Sequence, residues 1–368
     1  MKNNKYSWVL YMQITFVLPG WARKPSGGFK VVYEYANCLS ERGHKIRIVH
    51  SLLTSPEQAS LKKKIATPMI LATNLLFGIP RVSWFDISPK VDIIIVKDLE
   101  EKSIPEGDVI VAAGWQTAEY VVQYSSSKGR KFYLVMDFYP WLGPKDRIEA
   151  TWRAPFKKIT ISHWLYEKIL QATMLKNDLI AIPLGINRRR FNLTEDVNSR
   201  ANRISMMYSC GSYKAPEDGI SALEICKAQY PTLEATLFGP ARPGKAIPSW
   251  MVFRKNVPEE DLVRIYNQSK IHVCCSLVEG FAFPPAEAMA CGCAVVSTDC
   301  GGIREYAEHG VNALLSPPED PKGLAQNVLR LLADDNLRVR LAKAGYEKIQ
   351  EFTWDKAVTR LEEVLRQN

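Results

Sequence analysis

The chain has 368 residues, 46% of them hydrophobic, and a formal net charge of +9. That length exceeds what one hydrophobic core usually organises and points to two domains, and the apolar content excludes wholesale disorder. Through Arg190 there are 28 Lys and Arg against 16 Asp and Glu, and beyond it 20 against 23. The basic first half is expected to face an anionic surface, a membrane leaflet or a phosphate-bearing acceptor, and not nucleic acid, for which no aromatic-basic module is present. A merely soluble basic face is the alternative.

Lys2, Lys5 and the run WVLYMQITFVLPG have the charged and apolar parts of a signal peptide, yet Ile14 to Leu18 reads better as a first buried strand. No later stretch reaches the roughly 18 uncharged apolar residues of a spanning helix. Ser26-Gly27-Gly28 opens a helix with Phe29, Val32, Ala36 and Leu39 at helical spacing, ending near Gly43 before the strand KIRIVHS. Gly27 and Gly28 let backbone approach a ligand closely, and the helix start offers N–H groups to an anion. Residues 61 to 80, LKKKIATPMILATNLLFGIP, set three lysines beside an apolar stretch, the pattern of an interfacial anchor on an anionic membrane. Peripheral contact through residues 61–81 is the expectation and core packing the alternative, while Pro68 argues against one unbroken helix.

Residues 108–113, DVIVAA, and 132–137, FYLVMD, read as buried strands. They leave Gly114 to Thr117 and Asp137 to Trp141 at strand ends, where open parallel sheets build their sites. Trp115, Gln116, Tyr139 and Trp141 are therefore the acceptor-side candidates. Residues 159–163 and 180–187 follow as the last strands of a first domain over 1–192. Arg188 to Arg190 and the polar stretch to Arg203 mark a linker, and an apolar strand at Ile204 opens a second domain over 203–351. The closing run FTWDKAVTRLEEVLRQN is an amphipathic helix with Phe352, Trp354, Ala357, Leu361 and Leu365 on one side.

The most informative segment is residues 276–305, SLVEGFAFPPAEAMACGCAVVSTDCGGIRE. Pro284 and Pro285 suit a first helical turn and Gly292 the left-handed residue past its end, which predicts a helix over about 284–291 and then a buried parallel strand. The helix start is a site for phosphate or diphosphate. Glu279 lies just before it and Glu287 one turn inside. Two carboxylates there would repel phosphate, so their partners are hydroxyls on either side of a diphosphate. The pattern asks for a nucleotide sugar.

This segment resembles the E-x7-E signature of the GT-B-fold retaining glycosyltransferases of family 4, which implies an α/β fold of two Rossmann-like domains facing each other across a donor and acceptor cleft. By that resemblance Glu279 and the backbone of Gly280, Phe281, Ala282 and Phe283 meet the donor sugar, Glu287 binds the ribose diol, and Gly27 and Gly28 face the diphosphate from the opposite domain. Val257 and Leu262 line the base, and the last helix crosses back to the first domain. Met12 is the more usual start, so the true start is Met1 or Met12, with residues 1–11 an extension in the second case. Many members carry histidine at the ends of two first-domain strands, where this chain has Ala113 and Met136. That leaves Asp137 as the main ionisable group facing the cleft, an acceptor-orienting or base residue, or else the cap of the next turn.

A second departure lies in ISMMYSCGSYKAPEDG. The family pairs an arginine and a lysine here against the diphosphate, but this chain has Ser212 and, near the lysine position, Glu217 or Asp218. Lys214 is expected to supply one charge, with Arg254 or Lys255 as candidates for another. Gly27 to Asn37 and Asp137 to Trp141 further resemble a rhamnosyltransferase subgroup, implying a deoxythymidine-diphosphate rhamnose donor, with a UDP- or GDP-sugar as the alternative.

The eight cysteines include no C-x-x-C, the five histidines show no ligand spacing, and no D-x-D occurs. The cysteines read as small buried hydrophobes of a reducing compartment, and no metal or other cofactor is expected. The expectation is a cytoplasmic hexosyltransferase, peripheral on the inner face of the membrane, with catalysis resting on Asp137 and Glu279 and the acceptor a hydroxyl of a cell-surface glycan or lipid-linked precursor. A GT-B-fold sugar-nucleotide epimerase and a non-catalytic nucleotide-sugar-binding protein are the rival readings.

Overall fold

The computed structural model of the protein describes residues 11–21, 24–54, 61–77, 82–138, 143–240, 242–244 and 247–367. The signal-like residues 1–10, the acceptor-side candidates Tyr139 and Trp141, and residues 78–81 of the membrane stretch lie outside them.

Two all-parallel sheets organise the chain. The first has strands β1 (Gln13–Leu18), β2 (Lys45–Leu53), β3 (Val91–Asp98), β4 (Val109–Ala112), β5 (Arg130–Val135), β6 (Lys157–Thr160) and β7 (Leu179–Ala181), in the order β3-β2-β1-β4-β5-β6-β7. The second has β8 (Arg203–Met207), β9 (Glu234–Gly239), β10 (Met251–Lys255), β11 (Ile271–Cys274), β12 (Ala294–Thr298) and β13 (Leu314–Ser316), in the order β10-β9-β8-β11-β12-β13. Central strands such as β4 and β12 are buried along their whole length, which is why they read as unbroken apolar runs and not as alternating ones.

Each order reverses once, between β1 and β4 in the first sheet and between β8 and β11 in the second. Such a reversal opens a crevice at the carboxyl ends of the two strands. The loops that leave these four strands therefore carry the cleft: one leads from β1 into helix α1 (Gly27–Glu41), and one from β8 through a 3-10 turn into α6 (Pro216–Gln229). One leads from β11 into α8 (Phe283–Ala290). A Rossmann-like unit on either side, seven strands and six, is the GT-B architecture.

Helix α2 (Leu61–Phe77) runs through Pro68. The expectation of a break there is corrected: the ring sits on the exposed side of the helix, where the lost backbone bond is tolerated. Ile65, Met69 and Leu76 on this helix are 59, 68 and 75% exposed. Among the described residues no helix is long and apolar enough to cross a membrane. All eight cysteines are unpaired.

The final helix, α11 (Trp354–Arg366), is capped by Thr353 and packs on α1 of the first sheet. Trp354 meets Tyr35 edge-on at 5.3 Å, and Arg42 reaches Asp355 and Glu362 at 2.6 and 2.9 Å. The apolar face read from the sequence is the buried one, with Val358 and Val364 added.

Candidate functional site at the cleft between the two sheets

Helix α8 starts one residue earlier than its two prolines suggest, and Gly292 just beyond it takes the left-handed conformation at φ +77°. Ala282, its N-cap, is also left-handed at φ +64°, an unusual state for a residue with a side chain, and its carbonyl accepts a hydrogen bond from the Tyr306 hydroxyl at 2.5 Å. The backbone from Gly280 to Phe283 is thereby fixed ahead of any ligand.

Glu279 sits in this turn, bonded through its own backbone to Cys300 and Gly302. Its Oε1 accepts from Lys214 Nζ at 2.5 Å and from the Ser276 hydroxyl at 2.7 Å. Lys214 comes from the loop after β8 and Glu279 from the loop after β11, so the strand reversal of the second sheet brings the two together. Burial disfavours the Lys214 ammonium, but Glu279 beside it holds its pKa above the ordinary value.

Glu287 is buried one turn into α8. Its Oε1 takes a 2.7 Å ion pair from Lys30, a residue of α1 on the opposite sheet, and its Oε2 accepts from the Tyr266 hydroxyl at 3.4 Å. Lys30 also stands 3.7 Å from Glu259, which in turn pairs with Arg190 of the linker. Against the cost of burial, these carboxylates raise the Lys30 pKa. One turn along α1, burial pushes the Glu34 carboxyl up to about 7, opposed by Lys30 and Arg190.

The Gly27-Gly28 pair forms the first turn of α1 and faces the same cleft. A Cβ at Gly27 would meet nothing within 4 Å, whereas one at Gly28 would touch the Met136 side chain at 3.4 Å. Open space at Gly27 is what close approach of a ligand to backbone requires.

Across from Glu279, Asp137 follows β5. Solvent reaches its side chain from the cleft while protein of both units surrounds it. Burial first, and then the neighbouring Glu279, raise its pKa from 3.8 to about 6, with Lys214 opposing. Trp115 and Gln116 begin α3 (Trp115–Val121). The Trp115 ring is braced by the Arg147 guanidinium, 5.1 Å from its centroid, and leaves no room for a Cβ at Gly143. Val257 and Leu262 are half-buried beside the core that joins the two units. Arg254 and Lys255 are exposed on the outer strand β10.

Several cleft residues were not singled out from the sequence. Ser162 donates from its hydroxyl to the Gly280 carbonyl at 2.7 Å and caps α5 (His163–Thr173) by accepting from the Leu165 N–H. The His163 backbone N–H and ring nitrogen reach Glu305 at 2.7 and 2.9 Å, and the Trp164 ring occupies the space a Cβ at Gly301 would need. These contacts cross between the sheets. A local signal existed for two of them: Lys30 lies two positions after the glycine pair, on the helix face shared with Gly27, and Ser162 precedes an apolar helix as caps do.

Comparison with known proteins bears on this arrangement at two scales. Residues 247–348, which span α8 and both signature glutamates, match the family described as Glycosyl transferases group 1. An Escherichia coli O-antigen chain mannosyltransferase B is 31% identical over 110 residues, which are 30% of this chain and 28% of that protein. A D-inositol 3-phosphate glycosyltransferase of Thermobispora bispora is 27% identical over 200 residues, 50% of this chain and 46% of that one. The chain thus spans less than half the length of either relative. Over the whole fold, Anabaena HepE, solved with UDP-glucose, superposes with a TM-score of 0.74 at 18% identity, covering 96% of this chain and 99% of that one. Sucrose-phosphate synthase of Thermosynechococcus elongatus gives 0.71 at 17% identity, covering 96 and 98%. The chain has the GT-B fold of these glycosyltransferases throughout, and its residues 247–348 carry the group 1 glycosyltransferase sequence.

Proposed function

We propose that this protein is a retaining glycosyltransferase of the family 4 type that binds a nucleotide-diphosphate sugar in the cleft and moves the sugar to an acceptor hydroxyl. The observation that carries the reading is the placement of Glu279 and Glu287 on either side of the α8 entry, opposite the open first turn of α1 at Gly27. Hydroxyls of a sugar and of a ribose fit the two carboxylates, and a diphosphate between them fits the open first turn of α1 and the two lysines beside the glutamates. The named activities of the similar proteins support the same class.

In the transfer, the bond from the anomeric carbon to the diphosphate oxygen breaks and one to the acceptor oxygen forms on the same face. The departing diphosphate keeps the bonding electrons, and the acceptor proton passes to a basic oxygen in the cleft. Asp137, ionised above pH of about 6, orients the acceptor hydroxyl. The reading invokes no metal and assigns neutralisation of the diphosphate to the lysines beside the two glutamates. The proposed donor is deoxythymidine-diphosphate rhamnose and the proposed acceptor a cell-surface glycan or its lipid-linked precursor. Exposed Ile65, Met69 and Leu76, following three consecutive lysines in the chain, support contact of α2 with an anionic leaflet.

A thermal-shift panel of thymidine, uridine, guanosine and adenosine diphosphates and their sugars on wild type and Glu287→Ala tests the donor site. One base class should raise the wild-type melting temperature by several degrees and lose that effect in the variant. No stabilisation at millimolar ligand would sink the reading. Donor consumed without acceptor would instead favour an epimerase, and binding without turnover on any acceptor a non-catalytic protein.

A further inference from the structure

We propose that Lys30, delivered by the opposite sheet, is the second cation that receives the donor diphosphate beside the expected Lys214, each lysine being paired with one of the two glutamates. The inference rests on the nucleotide-sugar reading above. A diphosphate brings about two negative charges into a cleft that already holds Glu279 and Glu287, and like charges in a partly desolvated site repel strongly. Binding therefore requires cations at the same place.

The structure supplies one beside each glutamate. Lys214 Nζ lies 2.5 Å from Glu279 and Lys30 Nζ 2.7 Å from Glu287, with only 14 and 16% of their side chains exposed. Lys30 Nζ is also 5.4 Å from the ring centroid of Phe283, the first residue of α8, so it stands at the entry of that helix, where Pro284 and Pro285 leave few N–H groups and a cation is needed. On α1 it shares a face with Gly27, whose surroundings are open. An ammonium has three donors, so each lysine can keep its carboxylate and still give an N–H to phosphate, while ligand hydroxyls take the remaining carboxylate oxygens.

The two lysines approach from opposite sheets, and this adds a consequence. Lys214 belongs to the donor unit, but Lys30 is delivered by the other one, so a diphosphate that engages both ties the units together. A nucleoside, which has no phosphate for either lysine, does so less.

The test is calorimetric titration of wild type, Lys30→Gln, Lys214→Gln and Lys30→Arg with uridine, thymidine and guanosine diphosphates and with the parent nucleosides, at low and high salt. The expected result is that each Gln variant loses about tenfold or more in affinity for the preferred diphosphate. Affinity for the nucleoside stays within about twofold in Lys214→Gln and falls less than that for the diphosphate in Lys30→Gln, whose partner Glu287 meets the ribose in this reading; Lys30→Arg recovers most of the loss, and the salt dependence of diphosphate binding shrinks. Nucleoside binding also reports that the variants are folded. Gln variants that bind the diphosphate like wild type overturn the proposal and leave the donor reading standing. Equal loss of nucleoside and diphosphate overturns it too, since the lysines would then be structural. A wild type that binds neither overturns the donor reading and this proposal together.

Discussion

At the carboxyl ends of β8 and β11 the described polar side chains facing the cleft hydrogen-bond to one another, whereas at the ends of β4 and β5 the described side chains are held by ring packing and by an arginine stacked on Trp115. Lys214, Ser276 and Glu279 are joined by hydrogen bonds, the Thr298 hydroxyl donates to the Ser276 carbonyl, and Ala282 is locked in a left-handed state below them. Opposite, Asp137 is open to the cleft, Phe138 stacks on Trp152 with ring centroids 5.1 Å apart, and the Arg147 guanidinium lies 5.1 Å from the Trp115 centroid. Under the proposed function, a donor half arranged in advance can stabilise charge as it develops, with little reorganisation. Under the proposed function, an acceptor side held by ring packing can change its partner without disturbing that arrangement.

The sharpest way to break the contrast is to remove the charge at the centre of the fixed half. Glu279→Gln keeps a carbonyl oxygen for Ser276 but leaves Lys214 without its counter-ion. Turnover should fall by about 10²–10³-fold, in the range of other lost electrostatic contacts in preorganised sites. Steady-state kinetics check this, and near-normal turnover would show that the Lys214, Ser276 and Glu279 cluster is only structural. Gly280→Ala attacks the seam between the halves. A Cβ there would collide with the Met136 carbonyl and lie 3.2 Å from Ile161 Cδ1, and the backbone cannot retreat because the Gly280 carbonyl is bound to Ser162 and Gly302 packs behind it. Misplacement of this size costs about 100-fold in kcat/KM, and small-angle scattering should show a more open molecule.

The fixed half was also the legible one. Pro284, Pro285 and Gly292 announce a helix start and stop through backbone chemistry that acts within a few residues, so α8 and the positions of Glu279 and Glu287 follow from local sequence. The apolar runs of β4, β5, β11 and β12 are legible for the same reason. The partners of the glutamates were not. The Lys30 to Glu287 pair joins residues 257 apart in the chain, and the Ser162 to Gly280 bond residues 118 apart. Each depends on how the two sheets meet, which no local pattern encodes. Pro68 is a smaller instance: the helix-breaking tendency was real, but packing of α2 on β2 and β3 keeps the helix continuous.

Asp137 tests the open half, and there activity and stability should move oppositely. Its native pKa is raised from 3.8 to about 6, so between those values the unfolded chain releases the proton first. The stability this group contributes is present below the lower value and lost as pH rises through the upper one. The carboxylate needed to orient an acceptor forms over the same window. Asp137→Asn should therefore melt higher than wild type at pH 7, turn over about tenfold more slowly, and lose the acid limb near pH 6. A limb that persists in the variant would assign it to another group and leave Asp137 as a turn cap.

Ser162→Ala is expected to do least, and it asks whether the two halves are coupled by more than shape. The hydroxyl caps α5 and donates across the seam to Gly280 at 2.7 Å. Losing both bonds should cost about 1–2 kcal/mol, readable as a drop in melting temperature of a few degrees. Because it touches neither glutamate nor Asp137, its kinetic effect should fall on KM for the donor, which needs the halves together, with kcat nearly unchanged. Ser162→Thr, which keeps the hydroxyl, should restore both. If instead kcat falls as far as in Gly280→Ala while KM holds, the seam takes part in the transition state itself. The acceptor half would then be as preorganised as the donor half, with its order supplied by the contact between the sheets and not by bonds within its own loops.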